Sequence, residues 1–225
     1  MQRILLLLLF FTQLIYSSSG LANIGSSPAL DQLGRIVFVR ASTLDNSNDE
    51  LVIRDAINPS TTSDLFALEL NGHVFSSPTL DVDNNVYIGT LNNTLYKLDA
   101  SLNVLWQFDA ASPIYSTATL TPFNSGQSGQ LFFGNKDGKV FSLNTNDGSL
   151  NWQIDTGFEI GGSATLWPLD DSLTIANGSG EVFILDQASG SIKAQYTVPD
   201  SAAITTPVMA GNGDIVMATF NGDVI

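Results

Sequence analysis

Ser76-Ser-Pro-Thr-Leu80 returns as Ser116-Thr-Ala-Thr-Leu120, as Gly162-Ser-Ala-Thr-Leu166 and as Thr205-Thr-Pro-Val-Met209. Between the third positions, Pro78, Ala118, Ala164 and Pro207, the steps are 40, 46 and 43 residues. An earlier copy, Ser26-Ser-Pro-Ala-Leu30, stands 50 residues before Pro78. A period of this size marks one supersecondary unit used repeatedly, each unable to bury its apolar face alone.

Each copy leads into a short apolar strand that ends on a small residue: Val86-Tyr-Ile-Gly89, Leu131-Phe-Phe-Gly134, Leu173-Thr-Ile-Ala176 and Ile215-Val-Met-Ala218. Four residues on stands a turn residue, Asn93, Gly138, Gly180 or Gly222. Gly and Asn accept the positive φ that tight hairpins require, and Asp137-Gly138 and Asn221-Gly222 are strong hairpin pairs. A third strand then alternates in Leu95-Tyr-Lys-Leu98, Val140-Phe-Ser-Leu143 and Val182-Phe-Ile-Leu185. Tyr96, Phe141 and Phe183 form one column and Leu98, Leu143 and Leu185 another. Residues two apart share a strand face, so each unit offers the same apolar pair to a neighbour.

A polar turn at Asp99, Asn144 or Asp186 precedes a fourth strand, Val104-Leu-Trp-Gln-Phe108 or Asn151-Trp-Gln-Ile154. Trp106 and Trp152 share a position that Ala194 takes in the next unit, with Tyr196 just beyond. Four short strands per unit, no helical period and a repeat of about 43 residues predict an all-β propeller of four-stranded antiparallel blades. A β-sandwich also has short strands and turns, but not aligned fourfold repetition.

In the first unit, Ile36-Val-Phe-Val39 reads as the second strand and Leu65-Phe-Ala-Leu68 as the third, which puts Phe66 and Leu68 in the aromatic and leucine columns. Arg40 to Ser63 is then an insertion, polar around a short Leu51-Val-Ile53. Such loops are either functional or disordered, and the expected place is the face carrying Asn93, Gly138 and Gly180.

The order of strand, turn glycine, aromatic-x-Leu-Asp and Gly-x-x-x-Trp resembles the PQQ-like β-propeller repeat. Asn144-Thr-Asn-Asp-Gly-Ser-Leu-Asn-Trp152 is the fullest instance, Asp186-Gln-Ala-Ser-Gly190 follows the same scheme, and the resemblance runs from about Ser26 to Ile225. It implies that Trp106 and Trp152 dock neighbouring blades and that the junction at Ala194 is softer. Some relatives are quinoprotein dehydrogenases holding PQQ and Ca²⁺ at the centre of an eight-bladed ring. Others resemble a non-catalytic platform of the outer-membrane β-barrel assembly machinery. This chain has no Cys, so it lacks both a lipobox and the adjacent Cys pair of many quinoprotein alcohol dehydrogenases.

The N-terminus reads as an export leader. Arg3 supplies a positive charge, Ile4 to Tyr16 is apolar apart from Thr12 and Gln13, and Gly20 and Ala22 are the small residues of a cleavage site. Cleavage after Ala22 removes residues 1–22 and starts the mature protein at Asn23. The run falls short of the roughly 20 apolar residues that cross a bilayer, so no membrane insertion is expected after cleavage. The expected location is the periplasm or the cell exterior. Without Cys there are no disulfides, and stability must come from the core. A formal charge of −14 repels phosphate backbones and excludes nucleic acid as a natural partner. The acidity serves solubility or complements a basic partner.

No residue is assigned a catalytic, cofactor-binding or metal role. Asp81-Val-Asp-Asn-Asn85 alternates oxygen ligands as a calcium loop does, but lacks the glycine and distant glutamate of an EF-hand and reads as a turn. His73 is the sole histidine and reads as a strand-edge residue beside Val74 and Phe75. No Gly-x-Ser-x-Gly elbow occurs. Asn92-Asn-Thr94 and Asn177-Gly-Ser179 are glycosylation sequons placed where the turn wants Asn anyway. The expectation is a non-enzymatic scaffold with a protein partner and no cofactor. The alternative is a PQQ-dependent oxidoreductase. About 200 residues after the leader make between four and five units, while propellers close with about four to eight. Val224 and Ile225 align with Val182 and Phe183, which predicts an open arc that breaks off inside a blade.

Overall fold

The computed structural model describes residues 26–42, 48–56, 64–122, 125–167, 170–198, 206–210, 214–219 and 224. The expected leader, 1–22, and the expected new terminus at Asn23 lie outside them, as do Thr205, Gly222 and Ile225. Among the described residues, no helix is long and apolar enough to cross a membrane.

Four sheets of four antiparallel strands follow one another along the chain. The first holds β1 (Ala29–Leu30), β2 (Arg35–Arg40), β3 (Glu50–Asp55) and β4 (Phe66–Glu69). The second holds β5 (Thr79–Leu80), β6 (Val86–Gly89), β7 (Thr94–Leu98) and β8 (Val104–Asp109). The third holds β9 (Thr119–Leu120), β10 (Gln130–Gly134), β11 (Lys139–Asn144) and β12 (Leu150–Asp155). The fourth holds β13 (Thr165–Trp167), β14 (Ser172–Ala176), β15 (Glu181–Asp186) and β16 (Ile192–Thr197). Of a fifth blade, the described residues show β17 (Val208–Met209), β18 (Ile215–Val216) and a bridge between Ala218 and Val224. The blades form an open arc, not a closed ring.

The middle strands are buried on both faces, so their residues alternate between two neighbours instead of between core and water. Tyr96 and Leu98 of β7 face the first blade with Val86 and Ile88, while Leu95 and Tyr87 face the third with Phe133, Phe141 and Leu143. Phe183 and Leu185 repeat that role against Trp152 and Phe132. Phe133 stacks on Phe141 with ring centroids 4.9 Å apart. The predicted aromatic and leucine columns of β7, β11 and β15 are thus the seams between blades.

The first blade corrects one expectation. Leu51-Val-Ile53 lies inside the third strand, β3, pairing Val37 with Ile53 and Val39 with Leu51. Phe66 and Leu68 belong to the fourth strand: Ile53 pairs with Phe66 as Lys97 pairs with Trp106. Phe66 therefore occupies the tryptophan position, not the Tyr96 column. The supposed insertion Arg40–Ser63 is a strand flanked by two connections. One joins β2 to β3 on the face that carries Asn93; the other joins β3 to β4 at the opposite end. Residues 43–47 and 57–63 of these connections lie outside the described residues. An ion-pair group holds their bases together: Arg40 bonds Glu50 and Asp64, and Arg54 bonds Asp64 as well.

Candidate interaction face

Connections from a fourth strand to the next first strand run along one face near the arc's axis, and a hydrogen-bond ladder positions them. The amide of Ser77 donates to Thr117 Oγ1 (2.9 Å), that of Thr117 to Ser163 Oγ (3.0 Å), and that of Ser163 to Thr206 Oγ1 (2.9 Å). Ser27 donates likewise to Ser77 Oγ at 2.9 Å. A second rung runs outside it: Thr79 Oγ1 donates to the Ala118 carbonyl and Thr119 Oγ1 to that of Ala164, at 2.7 and 2.8 Å. The recurring Ser/Thr-rich motif is therefore the stitch between blades, and the hydroxyls of Ser76, Ser77, Ser116, Thr117, Ser163 and Thr206 are occupied by backbone partners.

On the same face, each second-to-third strand turn reaches back to the connection before it. Leu91, Lys136 and Gly178 donate their amides to the carbonyls of His73, Pro113 and Glu159, each at 2.8 Å. This lattice presents Phe75, Tyr115 and Glu159 outward. Phe75 is half exposed, and its ring centroid lies 5.8 Å from that of Tyr115. Lys136 Nζ stands 5.9 Å from the Tyr115 centroid, over the ring. Phe75, Tyr115, Glu159, Ile160 and Gly161 line a cleft of about 370 Å³. A neighbouring cleft of about 330 Å³, lined by Lys136, Asp137, Phe158 and Glu159 among others, shares Glu159 with it.

Most residues singled out from sequence take structural parts. The Asp81 carboxylate accepts the amides of Asp83 and Asn85, the Asn85 side-chain amide and the Tyr87 hydroxyl. The same turn chemistry recurs at Asp99, which accepts the amides of Ser101 and Asn103, and at Asn135, which accepts those of Asp137 and Lys139. Asp83 turns toward the next blade, accepting from Ser125 Oγ and the Gly126 amide, and these bonds hold its carboxyl below the ordinary range. Among the described residues, no three His, Cys, Asp or Glu side chains gather to hold a metal ion. His73 lies 3.3 Å from the buried Asp49 carboxylate, which also accepts the Val74 and Ser42 amides. Asn177 is buried, donating to the Thr156 carbonyl and the Glu181 carboxylate, whereas Asn92 is exposed.

A buried polar knot joins the second and third blades. Lys97 Nζ donates to the Thr145 carbonyl at 2.8 Å and lies over the Tyr87 ring. Burial pushes the Lys97 ammonium down, against the pull of Asp81 and Asp83, and pushes the Tyr87 phenol up, with Asp81 reinforcing it. Trp106 Nε1 reaches the same carbonyl at 3.2 Å, and Trp152 Nε1 reaches that of Gln187 at 2.9 Å. Both indoles lie over a turn glycine. A Cβ on Gly148 would come within 2.8 Å of Trp106, and one on Gly190 within 2.6 Å of Trp152. Ala194 holds the equivalent register, opposite Ile184, where the described core is Ala176, Val182 and Met217 with Val198 and Ile215.

Phe75, Tyr115, Phe158 and Glu159 were missed from sequence. The available signal was an aromatic directly before the motif serine, in Phe75-Ser76 and Tyr115-Ser116.

In comparisons with known proteins, the arc is similar to the crystal structure of BamB from Moraxella catarrhalis, with a TM-score of 0.69 and 18% identity. The match covers 93% of this chain and 62% of that one, so this chain spans less than two thirds of its length. A beta-alanine-activating enzyme of Danio rerio is 28% identical over 168 residues, covering 63% of this chain but 14% of the enzyme. The family model described as outer membrane protein assembly factor BamB matches residues 56–225, and with three quarters of its length inside that match, the chain belongs to this family of PQQ-like propeller repeats.

Proposed function

We propose that this chain is an exported, non-enzymatic propeller scaffold that holds a protein partner on its axial face. The observation that carries the reading is a division of labour among polar side chains. The hydroxyls of Thr117 and Ser163 and the turn carboxylates of Asp81 and Asp99 are consumed by backbone amides, while the exposed cleft is walled by the aromatic pair Phe75 and Tyr115. Aromatic anchors over a concave site are a means of protein recognition. The family's description as an outer membrane protein assembly factor supplies the setting, namely the periplasm and the assembly of outer-membrane proteins. Residues 1–22 act there as the cleaved export leader.

The test is site-specific photo-crosslinking in the source cells, from position 75 and from the outer-strand position 151 as control. A protein adduct at 75 that is absent at 151, formed in the periplasmic or secreted fraction, is the expected result. Equal adducts at both positions, or retention of the protein in the cytoplasm, would overturn the proposal.

A further inference from the structure

We infer that the paired clefts receive an extended polypeptide segment in which a lysine or arginine neighbours an aromatic or large aliphatic residue. This rests on the interaction reading above and names the chemistry of its partner.

Charge complementarity points to a cation. Glu159 lines both clefts, and its carboxylate takes part in no hydrogen bond or ion pair among the described residues. The chain carries a net charge of −14, its described arginines are engaged by its own acids, and Lys136, which lines the second cleft beside Glu159, is set over the Tyr115 ring. Arg35 pairs with Asp31, while Arg40 and Arg54 share Asp64. Asp137, also unpaired among the described residues, extends the negative lining into the second cleft.

Aromatic placement points to the neighbouring apolar residue. Lys136 already lies over Tyr115, so one ring of the pair shows the cation contact that this face supports. The Phe75 ring, half exposed, has no such cation among the described residues. A partner's cation set between Phe75 and Glu159 gains both the ring quadrupole and the carboxylate, and an adjacent apolar side chain packs on the half-buried Tyr115. An oligosaccharide fits less well: sugar hydroxyls need a fan of polar side chains, and among the described residues the first cleft offers the polar side chains of Glu159 and Tyr115.

The experiment measures binding of three fluorescent decapeptides to the whole chain by polarisation. One carries a central Arg-Phe-Lys, one Glu-Phe-Glu and one Arg-Gly-Lys. The Arg-Phe-Lys peptide should bind, weaken as salt rises, and exceed each of the others by about fivefold or more. Glu159→Gln and Phe75→Ala should each weaken it by about fivefold. Both residues are exposed, so the thermal midpoint should stay at the parent value. Equal binding of all three peptides, indifference to both substitutions, or displacement by a neutral oligosaccharide would overturn the assignment. If crosslinks from position 75 persist while the basic peptide fails, only the partner chemistry falls. If both fail, the interaction reading falls with it.

Discussion

Trp152 donates its indole N–H to the backbone carbonyl of Gln187, 2.9 Å away and in the next blade. One side chain thereby joins two sheets, filling the seam with its ring and satisfying a turn carbonyl with its nitrogen. Phe132 packs on the same ring, centroids 5.8 Å apart. Trp152→Ala should cost about 3–5 kcal/mol, and Trp152→Phe less, because the ring volume is largely kept. Urea unfolding followed by circular dichroism measures both. A loss below about 1 kcal/mol for Trp152→Ala would show that the peg does not hold the seam.

Gly190 lies under that indole with φ of +71°. Gly190→Ala meets two penalties, a left-handed backbone that disfavours Cβ and a methyl too close to the Trp152 ring. We expect roughly 2 kcal/mol of destabilisation or more. Gly126, also at positive φ but with open space around its missing Cβ, is the control and should lose about 1 kcal/mol. Equal losses at the two positions would remove the steric part of the account.

Asp64 sets an acid limit on the first blade. Burial alone would raise its carboxyl, but hydrogen bonds from Arg54 and Arg40, with their charges, bring it below the ordinary value. A carboxyl depressed on folding adds stability above its unfolded pKa of about 3.9 and loses it as pH falls through the lower folded value. Asp64→Asn should therefore cost roughly 1 kcal/mol near neutrality, a gap that shrinks as pH falls below about 3.9. Thermal midpoints of both proteins across that range decide it. A gap that persists unchanged in acid would contradict the ion-pair explanation.

Adding PQQ with Ca²⁺ should leave the thermal midpoint unchanged and produce no dye reduction with alcohols or sugars. A raised midpoint or measurable dye reduction would return the chain to the quinoprotein class.

N-terminal sequencing of the exported protein should begin at Asn23. A start at Met1, or well past Ile24, would reject the leader.

The blade was legible in sequence because its determinants are local and repeated. Alternation at period two fixes which side chains share a face, and Gly or Asn at a constant offset fixes where the strand reverses. Tyr96, Phe141 and Phe183 could be aligned without coordinates for that reason. The first blade was misread because its connections are long and no tryptophan marks its last strand. Phe66 and Leu68 then look like any aromatic–leucine pair, and only the pairing of Ile53 with Phe66 places them in the fourth strand. Tertiary structure alone decided the axial cleft. Phe75, Tyr115 and Glu159 follow one another at steps of 40 and 44 residues, on connections with no strand periodicity to announce them. They meet because blade-to-blade stitching, from the Ser77 amide to Thr117 and from the Thr117 amide to Ser163, draws successive connections to one axis. Sequence alone determined the build of the second, third and fourth blades; the angle between blades, set by packing across the seams, decided which exposed side chains share a cleft.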